Sequence, residues 1–127
     1  MPGPQVVIQR SAEQVFGRQL GQEHLASTAA TSLYSPQDGV NTVVKKIHVC
    51  NVAGASATIR LFHDEDGSTY DKNTALVWDK TIDANDACMI ETYIVMNNSS
   101  GNLGIKCDKD DTMTFTAYGD EIQTRAR

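Results

Sequence analysis

Apolar residues in this chain recur at every second position in short runs, and the runs are closed by Gly, Asn, Asp or Pro. That period belongs to extended strands, whose side chains alternate between two faces. Thr31 to Ser35 is the first such run after Ala29, and it stops at the turn sequence Pro36-Gln37-Asp38-Gly39. Asn41 to Val52 is a long β-branched run with Val43, Lys45, Ile47, Val49 and Asn51 on one face and Val44, Lys46, His48 and Cys50 on the other. The face of Ile47 and Val49 is expected to point inward. Ala53-Gly54-Ala55 turns the chain into Ser56 to His63, where Ala57, Ile59 and Leu61 alternate with Thr58, Arg60 and Phe62. These two strands are expected to pair as a hairpin.

A polar loop, Asp64 to Asn73, precedes a short strand from Ala75 to Asp79. After a turn at Asn85-Asp86, the run Ala87 to Met96 sets Cys88, Ile90, Thr92, Ile94 and Met96 against Met89, Glu91, Tyr93 and Val95. Neither face is wholly polar, so one side should be buried and a partner or a loop should cover part of the other. Asn97 to Asn102 is a strong turn, Leu103 to Cys107 returns from it, and Thr112 to Tyr118 closes the set with Met113, Phe115 and Ala117 inward. Strands spaced by roughly ten residues without an amphipathic helix between them predict an all-β fold, an antiparallel β-sandwich, Ig-like or jelly-roll-like.

Residues 1–29 lack this periodicity. They hold Gln5, Gln9, Gln14, Gln19 and Gln22 with isolated glycines at 17 and 21, and they read as an N-terminal arm. Val6-Val7-Ile8 fits a short strand, and Ser11 with Gln14 has capping-box spacing for one helical turn. The arm either packs on its own domain or docks on a neighbouring subunit. The domain expected from this pattern spans residues 30–122, followed by a charged tail, residues 123–127.

At 127 residues the chain accommodates one domain, and its 40% apolar content is never gathered into a membrane-spanning run. Met1-Pro2-Gly3-Pro4 lacks the basic and apolar segments of a secretory signal, so export by the general route is not expected. A net charge of -5 with scattered Lys and Arg, Lys45-Lys46 excepted, argues against direct nucleic-acid binding. Cys50, Cys88 and Cys107 form no Cys-x-x-Cys pair. They are expected as reduced, buried thiols; a Cys88 to Cys107 disulfide is the alternative, which a hairpin turning at Asn97 to Asn102 disfavours by setting Cys107 near Thr92.

Chemistry finds little support. Asp64-Glu65-Asp66-Gly67-Ser68 with Asp71 is rich in oxygen donors, but counting from Asp64 glycine falls fourth and Ala75 takes the twelfth place, where a calcium loop needs a bidentate Glu. A solvated turn is expected there, and another at Asp108, Asp110 and Asp111. His24, His48 and His63 have no metal-ligand spacing, although His48 and His63 would approach each other on paired strands. No serine elbow or phosphate loop occurs. The expectation is a protein without catalysis, metal or cofactor. Trp78 is expected in the core, with a binding surface as the alternative, and Tyr70 in the open.

Leu33-Tyr34-Ser35-Pro36 with Gly39, then Val43-Val44-Lys45-Lys46-Ile47-His48-Val49-Cys50-Asn51, and finally Phe115-Thr116-Ala117-Tyr118-Gly119-Asp120-Glu121-Ile122, together resemble small β-sandwich virion proteins of tailed bacteriophages. The resemblance covers about Ala30 to Ile122 and leaves the arm unmatched. It implies a virion structural protein, foremost a capsid decoration (cement) protein, commonly a homotrimer, bound between subunits of the major capsid protein. In that role Val6, Val7, Ile8, Val15, Phe16 and Leu20 of the arm are the anchors. The alternative is a tail, baseplate or fibre component meeting a host receptor or glycan; either would be made in the bacterial cytoplasm. The loop Pro36-Gln37-Asp38-Gly39 is longer and more polar than the family's tight turn and offers Gln37 and Asp38, with Tyr70 elsewhere, as exposed contacts.

Overall fold

A computed structural model describes residues 13–124, which form eight β-strands and no helix among them. The strands are β1 (Glu13–His24), β2 (Thr31–Tyr34), β3 (Val40–Asn51), β4 (Ala57–Asp64), β5 (Ala75–Ile82), β6 (Ala87–Met96), β7 (Asn102–Cys107) and β8 (Met113–Thr124). The first sheet has the order β1-β8-β3-β6 and the second β2-β7-β4-β5, with every pairing antiparallel. Every connection except β4 to β5 crosses from one sheet to the other. Two four-stranded sheets interleaved in this way are a jelly roll rather than an Ig-like sandwich.

The alternation read from the sequence builds the core. Ile47 and Val49 of β3, Ile59 and Leu61 of β4, Leu103 and Ile105 of β7, and Met113, Phe115 and Ala117 of β8 meet between the sheets and are fully or almost fully buried. Strand β3 does not keep a single period along its length. Val44 pairs with Gly119 and Lys46 with Tyr118, which leaves Lys45 as an extra residue against β8. This bulge flips the faces: Val40, Thr42 and Val44 point inward before it, and Ile47, Val49 and Asn51 after it. Val43, expected on the face of Ile47, therefore joins the outer face. Gly119 lets the kinked backbone approach, since a Cβ there would lie 2.0 Å from the Val43 carbonyl oxygen.

Three local expectations are corrected. The strands on either side of Ala53-Gly54-Ala55 do not form a hairpin, because β3 lies in the first sheet and β4 in the second. The fully buried Asn51 holds this crossing, donating to the carbonyls of Ala55 (2.9 Å) and Ile82 (3.1 Å) and accepting from the Ala53 N–H (2.9 Å). Likewise β6 and β7 are in different sheets, so Cys107 is not opposite Thr92, and His48 and His63 are not on paired strands. Cys50, Cys88 and Cys107 are all free.

The helical turn expected from Ser11 is extended from Glu13 onward; Ser11 itself lies outside the described residues. The stretch Glu13–His24, read as arm, pairs along its whole length with β8. A glutamine-rich strand with weak intrinsic preference is held by its neighbour's backbone, the usual way tertiary pairing overrides local propensity. The sheet also continues past Ile122, through Thr124.

Candidate interaction surfaces

Pairing registers lay out the outer face of the first sheet row by row. Val95, Val43, Asp120 and Gly17 form one row across β6, β3, β8 and β1; Glu91, Lys46, Tyr118 and Gln19 form the next; Met89, His48, Thr116 and Gln22 a third. The face is unusually apolar at its β6 side. Tyr93 is 72% exposed, and Met89 and Val95 are about half exposed. Val15 on β1 and Tyr118 on β8 add to it at the far side. Charge is confined to a few positions, with Lys45 Nζ bonded to Asp120 Oδ2 at 2.6 Å. The second face of Ala87–Met96 was expected to be covered in part; no described element covers it.

A second surface lies outside the second sheet, where the chain folds back over Phe62. The Phe62 ring, 1% exposed, sits under Tyr70 with centroids 5.8 Å apart and meets the edge of Trp78 at 6.3 Å. Gly104 pairs with Phe62 and leaves room for Tyr70: a Cβ there would stand 2.4 Å from the Tyr70 ring. Tyr70, expected in the open, is thus half-buried, because its polar loop closes back on the sheet. Asp64 fastens that loop by accepting the N–H of Thr69 (2.8 Å) and of Asp66 (3.2 Å). These backbone donors hold the Asp64 carboxyl below its ordinary range. Its oxygens are occupied by the loop itself, and no group of three His, Cys, Asp or Glu side chains comes together among the described residues.

Trp78, expected in the core, stands 40% exposed on β5. The cause is a bulge at Asp79, whose φ is 55° and which shifts the β4 to β5 register between Ile59 and Leu61. The Arg60 guanidinium covers the indole at 3.6 Å from the ring centroid and forks onto Asp79, with Nε donating to Oδ1 at 2.6 Å and Nη2 to Oδ2 at 3.2 Å. This pairing lowers the Asp79 pKa and raises that of Arg60.

The third place is a polar cleft of about 370 Å³ where β1, β2 and β8 part at one end of the sandwich. Glu121 reaches inward there with its side chain only 14% exposed. It accepts from Arg18 Nη1 at 3.0 Å and from the Tyr34 hydroxyl at 2.7 Å, and Tyr34 in turn lies 2.7 Å from Thr42 Oγ1. Burial, with Glu121 assisting, pushes the Tyr34 pKa up to about 12.

The sequence-derived contact residues scatter over these places. Val6, Val7 and Ile8 lie outside the described residues. Val15 is 60% exposed, Phe16 occupies the β1 position opposite Glu121, and Leu20 packs half-buried against the core beside the cleft. Gln37 lines the cleft, and Asp38 is exposed in its turn. Missed were Arg18, Glu121 and Arg60, whose roles depend on long-range partners. Met89, Tyr93 and Val95 had a signal in the sequence, the absence of a polar face on their strand.

No family model and no curated protein matches this sequence. Solved structures match by shape. A chain of the virus-like particle of the giant freshwater prawn Macrobrachium rosenbergii extra small virus superposes with a TM-score of 0.54 at 11% identity, over 98% of this chain and 88% of the other. The tobacco streak virus coat protein, solved as a dimer, gives 0.50 at 10% identity over 95% and 92%. Against the infectious bursal disease virus protein, at 12% identity and a TM-score of 0.45, the chain spans 37% of the other's length. At these identities the likeness is one of fold.

Proposed function

We propose that this chain is a non-enzymatic structural protein of a virus particle, which works through surfaces rather than through a reactive centre. The observation that carries the reading is the eight-strand jelly roll itself, shared over most of both chains with two viral coat proteins of similar extent. Fold alone does not assign function. The site chemistry points the same way: several charged groups of the described residues are paired with one another, as Arg18 with Glu121, Lys45 with Asp120 and Arg60 with Asp79, and apolar side chains stand exposed on the outer face of the first sheet.

Within a particle, the sequence resemblance favours a decoration (cement) role on the capsid of a tailed bacteriophage. The subunit, a homotrimer in that reading, ties major capsid protein subunits together with the arm residues Val6, Val7, Ile8, Val15, Phe16 and Leu20, and with Gln37, Asp38 and Tyr70 as loop contacts. Burial of apolar area on docking stabilises the shell. A shell-forming role is the second reading, favoured by the share of the two coat proteins that the chain covers, 88% and 92%. A tail or fibre position facing a host receptor is the remaining alternative.

Electron microscopy of the protein expressed alone, together with its copy number in purified virions, tests all of these. Closed shells from the isolated chain establish the shell-forming role. Soluble oligomers that rebind stripped capsids, and that fail to do so without residues 1–12, establish the cement role. A few copies per virion mean a tail position, and absence from virions refutes the whole reading.

A further inference from the structure

We propose that the free edge of β6 is a self-association site, at which two copies of this chain pair antiparallel across a two-fold axis and join their first sheets into one continuous sheet. The inference goes beyond the particle reading and does not depend on it. It comes from comparing the four sheet edges. An edge strand presents unpaired backbone N–H and C=O groups, and proteins protect such edges with short strands, bulges and charges. Three edges here carry those devices. Strand β2 has four residues and a register shift at Ser32 to Tyr34. Strand β5 is bulged at Asp79 and carries Lys80 beside it. Strand β1 shifts register at Gln19 to Gly21 and carries Arg18 and Glu23.

Strand β6 carries one register shift, where Ile94 to Glu91 spans Val44 to Lys46 of β3, and otherwise lacks them. Its ten residues, Ala-Cys-Met-Ile-Glu-Thr-Tyr-Ile-Val-Met, contain no proline, no glycine, no lysine and a single charge, Glu91. Among the described residues it pairs only with β3. On the outer face Met89, Tyr93 and Val95 are exposed, and on the inner face Cys88, Ile90 and Thr92 are only half-buried at the rim of the core.

The strand is also complementary to itself in one register. Opposed residues in an antiparallel pair must share a face. A two-fold axis at Thr92 places Glu91 against Tyr93 and Met89 against Val95 outside. It places Ile90 against Ile94 and Cys88 against Met96 inside. Apart from Ala87 against Asn97 and Tyr93 against the carboxylate of Glu91, every apolar residue then meets an apolar residue of the other copy. Shifting the axis to Glu91 would set like charges face to face, which is destabilising. Charge thus selects the occupant: a second copy matches this edge without needing a cation to neutralise Glu91. A seam of this length lies at the small end of stable interfaces, below about 1,200 Å², the size class of weak, reversible contacts.

Sedimentation equilibrium of the full chain over low to high micromolar concentrations gives the first test. Concentration-dependent dimers are expected, and a monomer throughout overturns the proposal. The double variant Tyr93→Lys, Val95→Lys changes two exposed side chains and should shift dissociation at least tenfold with an unchanged circular dichroism spectrum and melting point. Unaltered association in that variant also overturns it. Register is read from Thr92→Cys and Val95→Cys under oxidised glutathione, with the linked peptides mapped by mass spectrometry. Position 92 should link to itself and position 95 should not; linkage through 95 alone overturns the proposed axis.

Discussion

Gly104→Ala is the perturbation whose effect the structure specifies most closely. The added methyl carbon would stand 2.4 and 2.5 Å from two carbons of the Tyr70 ring, where ordinary contact is about 3.5–4.0 Å. The ring is not free to drift, because Phe62 lies beneath it and Asp64 fixes its loop through the Thr69 N–H. Overpacking of this kind costs about 1–3 kcal/mol. A displaced ring also forfeits its aromatic pairing with Phe62, about 0.5–1.5 kcal/mol. A loss of about 2–3 kcal/mol follows, and at about 4 °C per kcal/mol for a chain of this size the melting point falls by about 8–12 °C. Tyr70→Ala alone should cost at least about 0.5–1.5 kcal/mol through the same lost pair. The decisive measurement is the double variant by thermal or urea melting. With the ring gone, the three atoms nearest the added methyl are removed, and alanine at this position without positive φ should be neutral or stabilise by about 0.4–1 kcal/mol. The coupling between the two sites is therefore about 2–4 kcal/mol. An equal cost of Gly104→Ala in both backgrounds would refute the account of the glycine as the seat of Tyr70.

Gly119→Ala should be worse and not rescuable, since its Cβ meets the Val43 carbonyl rather than a movable side chain; a loss above about 3 kcal/mol is expected, and a melting point near that of the parent contradicts it. Tyr34→Phe tests the cleft by pH. An acid whose folded pKa is raised from 10.0 to about 12 binds its proton more tightly in the fold, so its contribution is complete below pH 10 and is lost between pH 10 and 12. The parent should lose about 1–2 kcal/mol more than Tyr34→Phe across that window in urea melts, and parallel curves would exclude the assigned environment. For Asp64 the sign is opposite. Its depressed pKa means that the loop anchor is present above the ordinary carboxylate range and is lost as pH falls through it, so the Thr69 amide should lose hydrogen-exchange protection in acid, and Asp64→Asn should remove most of that pH dependence. Arg60→Ala uncovers the only tryptophan: acrylamide quenching of Trp78 should rise while the melting point stays close to that of the parent, because the exposed Arg60–Asp79 pair is screened by solvent.

Strand inventory was legible and strand partnership was not, for a physical reason. Alternation at Ile47 and Val49, at Ala57, Ile59 and Leu61, and at Met113, Phe115 and Ala117 is a local consequence of burying one face, and those residues are buried as expected. Which strand lies beside which is decided by contacts far apart in sequence. Ala53-Gly54-Ala55 suits a hairpin and a crossing equally well, and Asn51 settles it by bonding to Ile82, thirty-one residues away. The same holds for β1: nothing within Glu13–His24 resembles a strand strongly, but β8 supplies a full ladder of partners more than ninety residues on. Bulges were illegible for another reason. Lys45 and Asp79 each shift one residue out of period, which a two-fold pattern cannot register, and from those shifts follow the outward position of Val43 and the exposure of Trp78.

The one place where the sequence carried more than the fold used is the strand that was apolar on both faces. A single sheet-on-sheet core needs only one face of each strand. Strands β3 and β8 largely obey this, with Lys46, His48, Thr114 and Thr116 outward beside Val43 and Tyr118. Strand β6 does not, since Met89, Tyr93 and Val95 face away from the core that Ile94 and Met96 fill. Tyrosine and valine favour strands in any setting, so propensity accounts for part of the pattern. It does not account for the missing charges on an edge, where proteins usually place them against unwanted pairing. An edge protected by one register shift and a single charge is consistent with pairing that is wanted. The double lysine variant at Tyr93 and Val95 separates the two explanations: if propensity alone set these residues, it should leave association unchanged, whereas a shared seam requires that association fail while the fold stands.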